Sequence, residues 1–243
     1  MEITSFVRVL EKQNHRGWKS RLAEMAGLFF EAEYEMVRQG HRAGAIIHVG
    51  EDNYQKITER MNKDGLVFTP FLKSGHYQGF SHQHKPVRPG EPYYWYGSLT
   101  RTYEEGQEFK KANTDNDHMA YGRFLGYPEC CSKYFVDHFP NNYDPIWVDR
   151  EGDVSGYPEA NQMLRYFGAR ITSHFSCSPT CEETRKVGQV WFEVMKGVNG
   201  KLALELYDIL SGKMRWNSYH GVVEVEGAAE ILEERPQLDD RPG

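Results

Sequence analysis

The chain has 243 residues and 28.2 kDa, enough for one large domain or two small ones around a real hydrophobic core. Aromatic side chains make up 14% of it, far more than disordered chains carry, and no run of about 18 apolar residues offers a bilayer span. The formal charge of −6 sits at the end: seven acidic and two basic residues run from Glu224 onward, leaving a body near −1 without the basic stripe that duplex nucleic acid needs.

The opening Met1-Glu2-Ile3-Thr4-Ser5 lacks the basic and apolar regions of a secretion signal. A soluble, cytoplasmic protein with no membrane partner is the expectation. Trp18, Leu22, Met25, Phe29, Ala32 and Met36 recur in steps of four and three, which predicts one helix face, with Arg21, Glu24, Glu31 and Glu35 elsewhere and Gly40 as the stop. Residues 45–49 predict a buried strand, 52–63 a helix and 66–68 the start of another strand. No G-x-G-x-x-G follows the first strand, so this is not a dinucleotide fold. Turn formers crowd 74–97, with short strands expected at 76–81 and 93–96.

Beyond residue 100 the pattern turns helical, at about 101–112, 115–125, 128–138, 159–168, 179–197 and 201–211, and a strand pair at 214–226 would return to the sheet. The class is α+β. A small N-terminal α/β layer (1–100) precedes a mainly helical region with closing strands (101–227) and an acidic tail (228–243).

The chemistry lies in four cysteines, as two pairs: adjacent Cys130 and Cys131, and Cys177 with Cys181. In a cytosolic chain such clusters point to metal or redox chemistry more often than to disulfide staples. A bond within either pair is disfavoured, because i,i+4 Cβ atoms on a helix lie about 5–6 Å apart where a disulfide wants about 3.5–4.5 Å, and adjacent residues bridge only through a strained ring. Pro128 and Pro179 each occupy an expected first helical position, Ser178 capping the second helix. Cys130, Cys131 and Cys181 would then sit in first helical turns, where the helix dipole favours the metal-binding thiolate.

Two helix starts meeting at one point would make a four-thiolate site. Only Cys177-x₃-Cys181 has the spacing of a structural zinc pair, and adjacent side chains tend to diverge, which favours an iron–sulfur cluster, 4Fe-4S in type, over one small ion. Zinc is the alternative, and a metal-free thiol redox protein a third reading. The radical-SAM pattern C-x₃-C-x₂-C is absent.

Gly126-Tyr127-Pro128-Glu129-Cys130-Cys131 with Phe135 resembles the G-Y-P-x-C-C-x₃-F signature of a prokaryotic, largely archaeal family of unknown function. His174-x₂-Cys177-Ser178-x₂-Cys181 resembles its second box, and Trp216-x-Ser218-x-His220-Gly221 its closing segment, over roughly residues 118–223. Phe175-Ser176 stands before Cys177, where that family's pattern has a proline next to the cysteine. The resemblance implies a site and no particular reaction.

His174 is a candidate ligand or proton donor beside the site, and His220 and Ser218, alternating with Trp216 on one strand face, are further catalytic candidates. Arg170, Arg185 and Lys186 could hold an anion, although a solvated helix face explains them better. His76, His82 and His84 read as histidines of a polar loop before they read as a second metal site, and Tyr93-Tyr94-Trp95-Tyr96 as strand aromatics before base-stacking rings. Thr114-Asp115-Asn116-Asp117-His118 reads as a helix start capped by Thr114. The leading reading is an iron–sulfur enzyme in which the cluster acts as Lewis acid or sulfur-handling centre on a small molecule or nucleotide. Its rival is a zinc-stapled, non-enzymatic interaction module.

Overall fold

A computed structural model describes residues 9–10, 15–75, 86–138, 152–217 and 222–225. The predicted strand at 76–81, His76, His82 and His84, Ser218 and His220, and the acidic tail all lie outside those residues. The fold is α+β, with an antiparallel sheet towards the N-terminus and a mainly helical C-terminal part.

Helix α1 (His15–Arg38) follows the apolar spacing: Leu22, Met25, Phe29, Ala32 and Met36 are all buried. They meet α6 (Glu182–Ser211), whose Trp191, Val194, Met195, Leu202 and Leu206 complete the main core. Phe29 stacks on Trp191 with ring centroids 5.2 Å apart. Arg21, expected off the apolar face, instead pairs with Glu205 of α6 through Nε at 2.6 Å and a second guanidinium nitrogen, both side chains almost buried. Burial of that ion pair is tolerated because the fork satisfies both carboxylate oxygens.

The antiparallel sheet has the order β2-β4-β3 (Gly44–Gly50, Tyr93–Thr100, Val67–Gly75). Helix α2 (Tyr54–Lys63) closes one side, and Val37, Ala45, Met61, Leu66 and Leu99 form a second core cluster there. Pro70 sits where the β3 register shifts, the place a sheet tolerates a residue without N–H. Helix α3 (Tyr103–Thr114) lies against β3 and β4, its start fixed by a capping box between Thr102 and Glu105. Gly106 makes this approach feasible, since a Cβ there would fall 2.1 Å from Thr69 Oγ1.

Several boundaries depart from the sequence reading. Thr114 ends α3, its hydroxyl donating to Lys110 O, and Asp117 caps α4 (His118–Phe124) by accepting from Ala120 N. The helix expected at 159–168 is two 3₁₀ turns, Pro158–Ala160 and Arg165–Phe167. Buried Asn161 breaks it: its Oδ1 accepts from Met163 N and its Nδ2 donates to Leu210 O, an alternative to helical pairing. The two helices expected at 179–197 and 201–211 form one element interrupted at Asn199, whose side chain caps the second half by accepting from Leu202 N. The closing strands β6 (Met214–Asn217) and β7 (Val222–Val225) do pair, but in a separate sheet of order β1-β7-β6-β5, with β1 at Val9–Leu10 and β5 at Gly152–Val154. Among the described residues no helix is long and apolar enough to cross a membrane.

Candidate metal centre

Helix α5 (Glu129–His138) begins directly after Pro128, whose carbonyl accepts from the N–H groups of Cys131 and Ser132. Cys130 and Cys131 therefore occupy its first turn. The second pair arrives differently from expectation. Ser178-Pro179-Thr180 forms a turn closed by Cys181 N donating to Ser178 O at 3.2 Å, so α6 starts three residues later than predicted. Cys181, not Ser178, is its N-cap, and the Cys181 sulfur accepts from Thr184 N at 3.4 Å. A thiol thus fills the capping place that Ser or Asp usually takes.

These two helix starts bring four sulfurs together. Cys130 Sγ lies 3.9 Å from Cys131 Sγ and 3.8 Å from Cys181 Sγ, and Cys131 and Cys181 are also 3.8 Å apart. With Cys177, all four sulfurs lie within 4.8 Å of one another. All four are free thiols. The premise that neighbouring side chains diverge fails at this helix start, where Cys130 and Cys131 turn to a common point. Cys131 and Cys181 are buried, Cys177 is half-buried and Cys130 is exposed.

Donors converge on the sulfurs. Cys177 N donates to Cys131 Sγ at 3.4 Å, and the Thr184 hydroxyl lies 3.2 Å from the same sulfur. Burial pushes the Cys131 thiol up, while Thr184 and the Cys177 amide pull the other way without winning. Burial, then the hydrogen bond and field of Cys181, push Cys177 up to about 12. Burial opposes the Cys181 thiolate too, yet the Thr184 hydroxyl and amide together with Cys177 and Cys130 bring it down to about 7. One sulfur of the set is thus ready to ionise near neutrality. A cation held by these four residues would deprotonate the rest, because thiolate coordination outweighs such shifts.

His174 does not join the sulfurs directly. Its Nε2 meets Thr184 Oγ1 at 2.9 Å, so it orients the hydroxyl that faces Cys131. Burial, followed by the fields of Arg165 and Arg42, holds its imidazole down to about 3. The ring is neutral at physiological pH and stands behind the centre as a fixed partner. Trp216 lies in β6, whereas Ser218 and His220 fall outside the described residues. Arg170 lies with its guanidinium 3.8 Å over the Phe29 ring and donates to Arg165 O, while Arg185 and Lys186 pair with Glu182 and Glu183 on the exposed face of α6. Asp115, Asp117 and His118 form no ligand group, and among the described residues the cysteine set alone has metal-ligand geometry.

Sequence reading missed Thr184, which has no distinguishing mark beyond standing three residues after Cys181 in a helix start. It missed Arg42 as well, a buried guanidinium paired with Glu33 at 2.9 Å and reaching Ser173 Oγ at 3.4 Å. No protein-family model, curated protein or solved structure matches this chain.

Proposed function

We propose that Cys130, Cys131, Cys177 and Cys181 hold a single zinc ion in a closed tetrathiolate centre, and that this metal staples a non-enzymatic interaction module. The observation that carries the reading is the sulfur spacing. Four sulfurs about 2.3 Å from one ion form a tetrahedron whose edge is about 3.8 Å; the sulfurs of Cys130, Cys131 and Cys181 are 3.8 and 3.9 Å apart, and that of Cys177 lies within 4.8 Å of each. A four-iron cube spreads its thiolates over separate corners, much farther apart than these. All-thiolate donors select zinc or iron, and four protein ligands around one ion leave no open position, the mark of a structural centre.

The surroundings support the same role. The donors from Cys177 N, Thr184 N and Thr184 Oγ1 take up thiolate charge, and two helix N-termini present their positive ends. The ion's contribution would be to fix α5, the turn at 177–181 and the start of α6 as one rigid wall. Metal analysis and the visible spectrum of protein purified without oxygen test this. One zinc per chain and a colourless protein are expected. Three or four irons per chain with broad visible absorption would overturn the reading in favour of a cluster enzyme, and thiols that cycle with oxidant in metal-free protein would favour a redox role.

A further inference from the structure

The stapled wall encloses one side of a cavity of about 510 Å³, within the size range of small-molecule sites. Cys131 and His174 line it on the metal side, Leu72 and Tyr96 on the sheet side, and the end of α3 with α4 closes it between them. Its faces are aromatic. Phe135 and Phe175 stack with ring planes 20° apart, and the Arg165 guanidinium covers Phe175 at 3.6 Å. On the far side the Tyr96 and Tyr121 hydroxyls meet at 2.8 Å. Its edges carry neutral polar groups, notably the carboxamides of Asn113 and Asn116 and the hydroxyls of Ser132 and Ser173.

Charge narrows the class of ligand. Among the described residues no carboxylate lines the cavity to pair with a cation. Arg165 is the guanidinium on its wall, and a zinc tetrathiolate, a net dianion, would stand across Cys131 from it. An anion attracted by the first is repelled by the second, and a cation attracted by the second is repelled by the first. From this we infer that the cavity binds a flat, neutral heteroaromatic molecule of nucleobase size, its faces against Phe135 and Tyr121 and its edge on the Asn113 and Asn116 carboxamides. Stacked faces reward planarity and the amide edge rewards ring nitrogen and carbonyl groups. The inference rests on the zinc reading for the charge balance, and metal content measured on the same samples separates the two.

The test is calorimetric titration of the metal-loaded full chain with hypoxanthine, benzoate and cyclohexanecarboxamide. Hypoxanthine should bind one site with a Kd below about 1 mM and at least roughly tenfold tighter than the other two. Ala112→Leu, which pushes a larger side chain into the cavity, should abolish that binding while zinc remains at one per chain. Asn116→Gly keeps the backbone unstrained, because Asn116 has φ of 54°, and should weaken hypoxanthine roughly three- to tenfold by removing one carboxamide. Benzoate or cyclohexanecarboxamide binding as tightly as hypoxanthine would overturn the inference. So would no hypoxanthine binding, or unchanged binding in both variants. A zinc-loaded protein that ignores hypoxanthine sinks the ligand alone, whereas an iron-loaded one sinks the zinc reading.

Discussion

Thr184 connects the two buried polar systems of this protein. Its hydroxyl sits 3.2 Å from Cys131 Sγ and 2.9 Å from His174 Nε2. Replacing it with valine keeps the shape but strands the imidazole nitrogen in the interior and removes a donor from the sulfur. Thr184→Val should lose about 1–3 kcal/mol of stability in urea unfolding of the metal-loaded protein, and Thr184→Ser should restore most of it. Unfolding of Thr184→Val at the wild-type midpoint would deny the hydroxyl this role. His174 gives a pH signature at the same scale. Its folded pKa, held down by burial and then by Arg165 and Arg42 to about 3, lies below the unfolded value of 6.5. The unfolded chain therefore binds the extra proton, and stability present above 6.5 is lost as pH falls towards 3. Between pH 7 and pH 5 this amounts to about 2 kcal/mol. Urea midpoints over that interval should fall more steeply for wild type than for His174→Gln, in which acid loss of metal acts equally.

At the scale of elements, the centre depends on a contact that no cysteine makes. Tyr157 N donates to Pro179 O at 2.9 Å, and a Cβ on Gly156 would lie 2.2 Å from that same oxygen. The close approach of the 156–157 backbone thus holds the turn that delivers Cys177 and Cys181. Gly156→Ala must push the turn away, and roughly 10- to 100-fold weaker metal binding is expected in competition with a chromophoric chelator. Gly197→Ala in α6 is the control: nothing lies within 4 Å of its added Cβ, so affinity should hold, with helix stability gaining about 1 kcal/mol. Equal affinities in the two variants would mean the turn does not depend on this contact.

Across the whole molecule, what could be read from sequence was local and periodic. The apolar steps of α1, the strand at Gly44–Gly50 and the helix start at the adjacent cysteines all emerge as expected. Periodicity does not report a buried amide that competes for the backbone, and so Asn161 turned a predicted helix into 3₁₀ turns. It does not report which sheet a late strand joins, and β6 and β7 went with β1 and β5. The four cysteines were legible because their type and clustering are rare. Their surroundings were not, since Thr184 and Arg42 are ordinary in sequence and acquire meaning only through contacts across the fold.

The centre joins α5 to the start of α6, and α6 in turn forms the main core with α1. Metal binding at this centre would therefore be one equilibrium with folding, and a strong chelator should lower the thermal midpoint in a dose-dependent way. The central claim, one ion in four thiolates, is tested most directly by X-ray absorption at the zinc edge of the purified protein. A single shell of four sulfurs at about 2.3 Å, with no scattering from a second metal, is the predicted result. A nitrogen or oxygen in that shell would contradict the closed tetrathiolate. Iron at the site, with a metal neighbour in its scattering, would contradict the single ion.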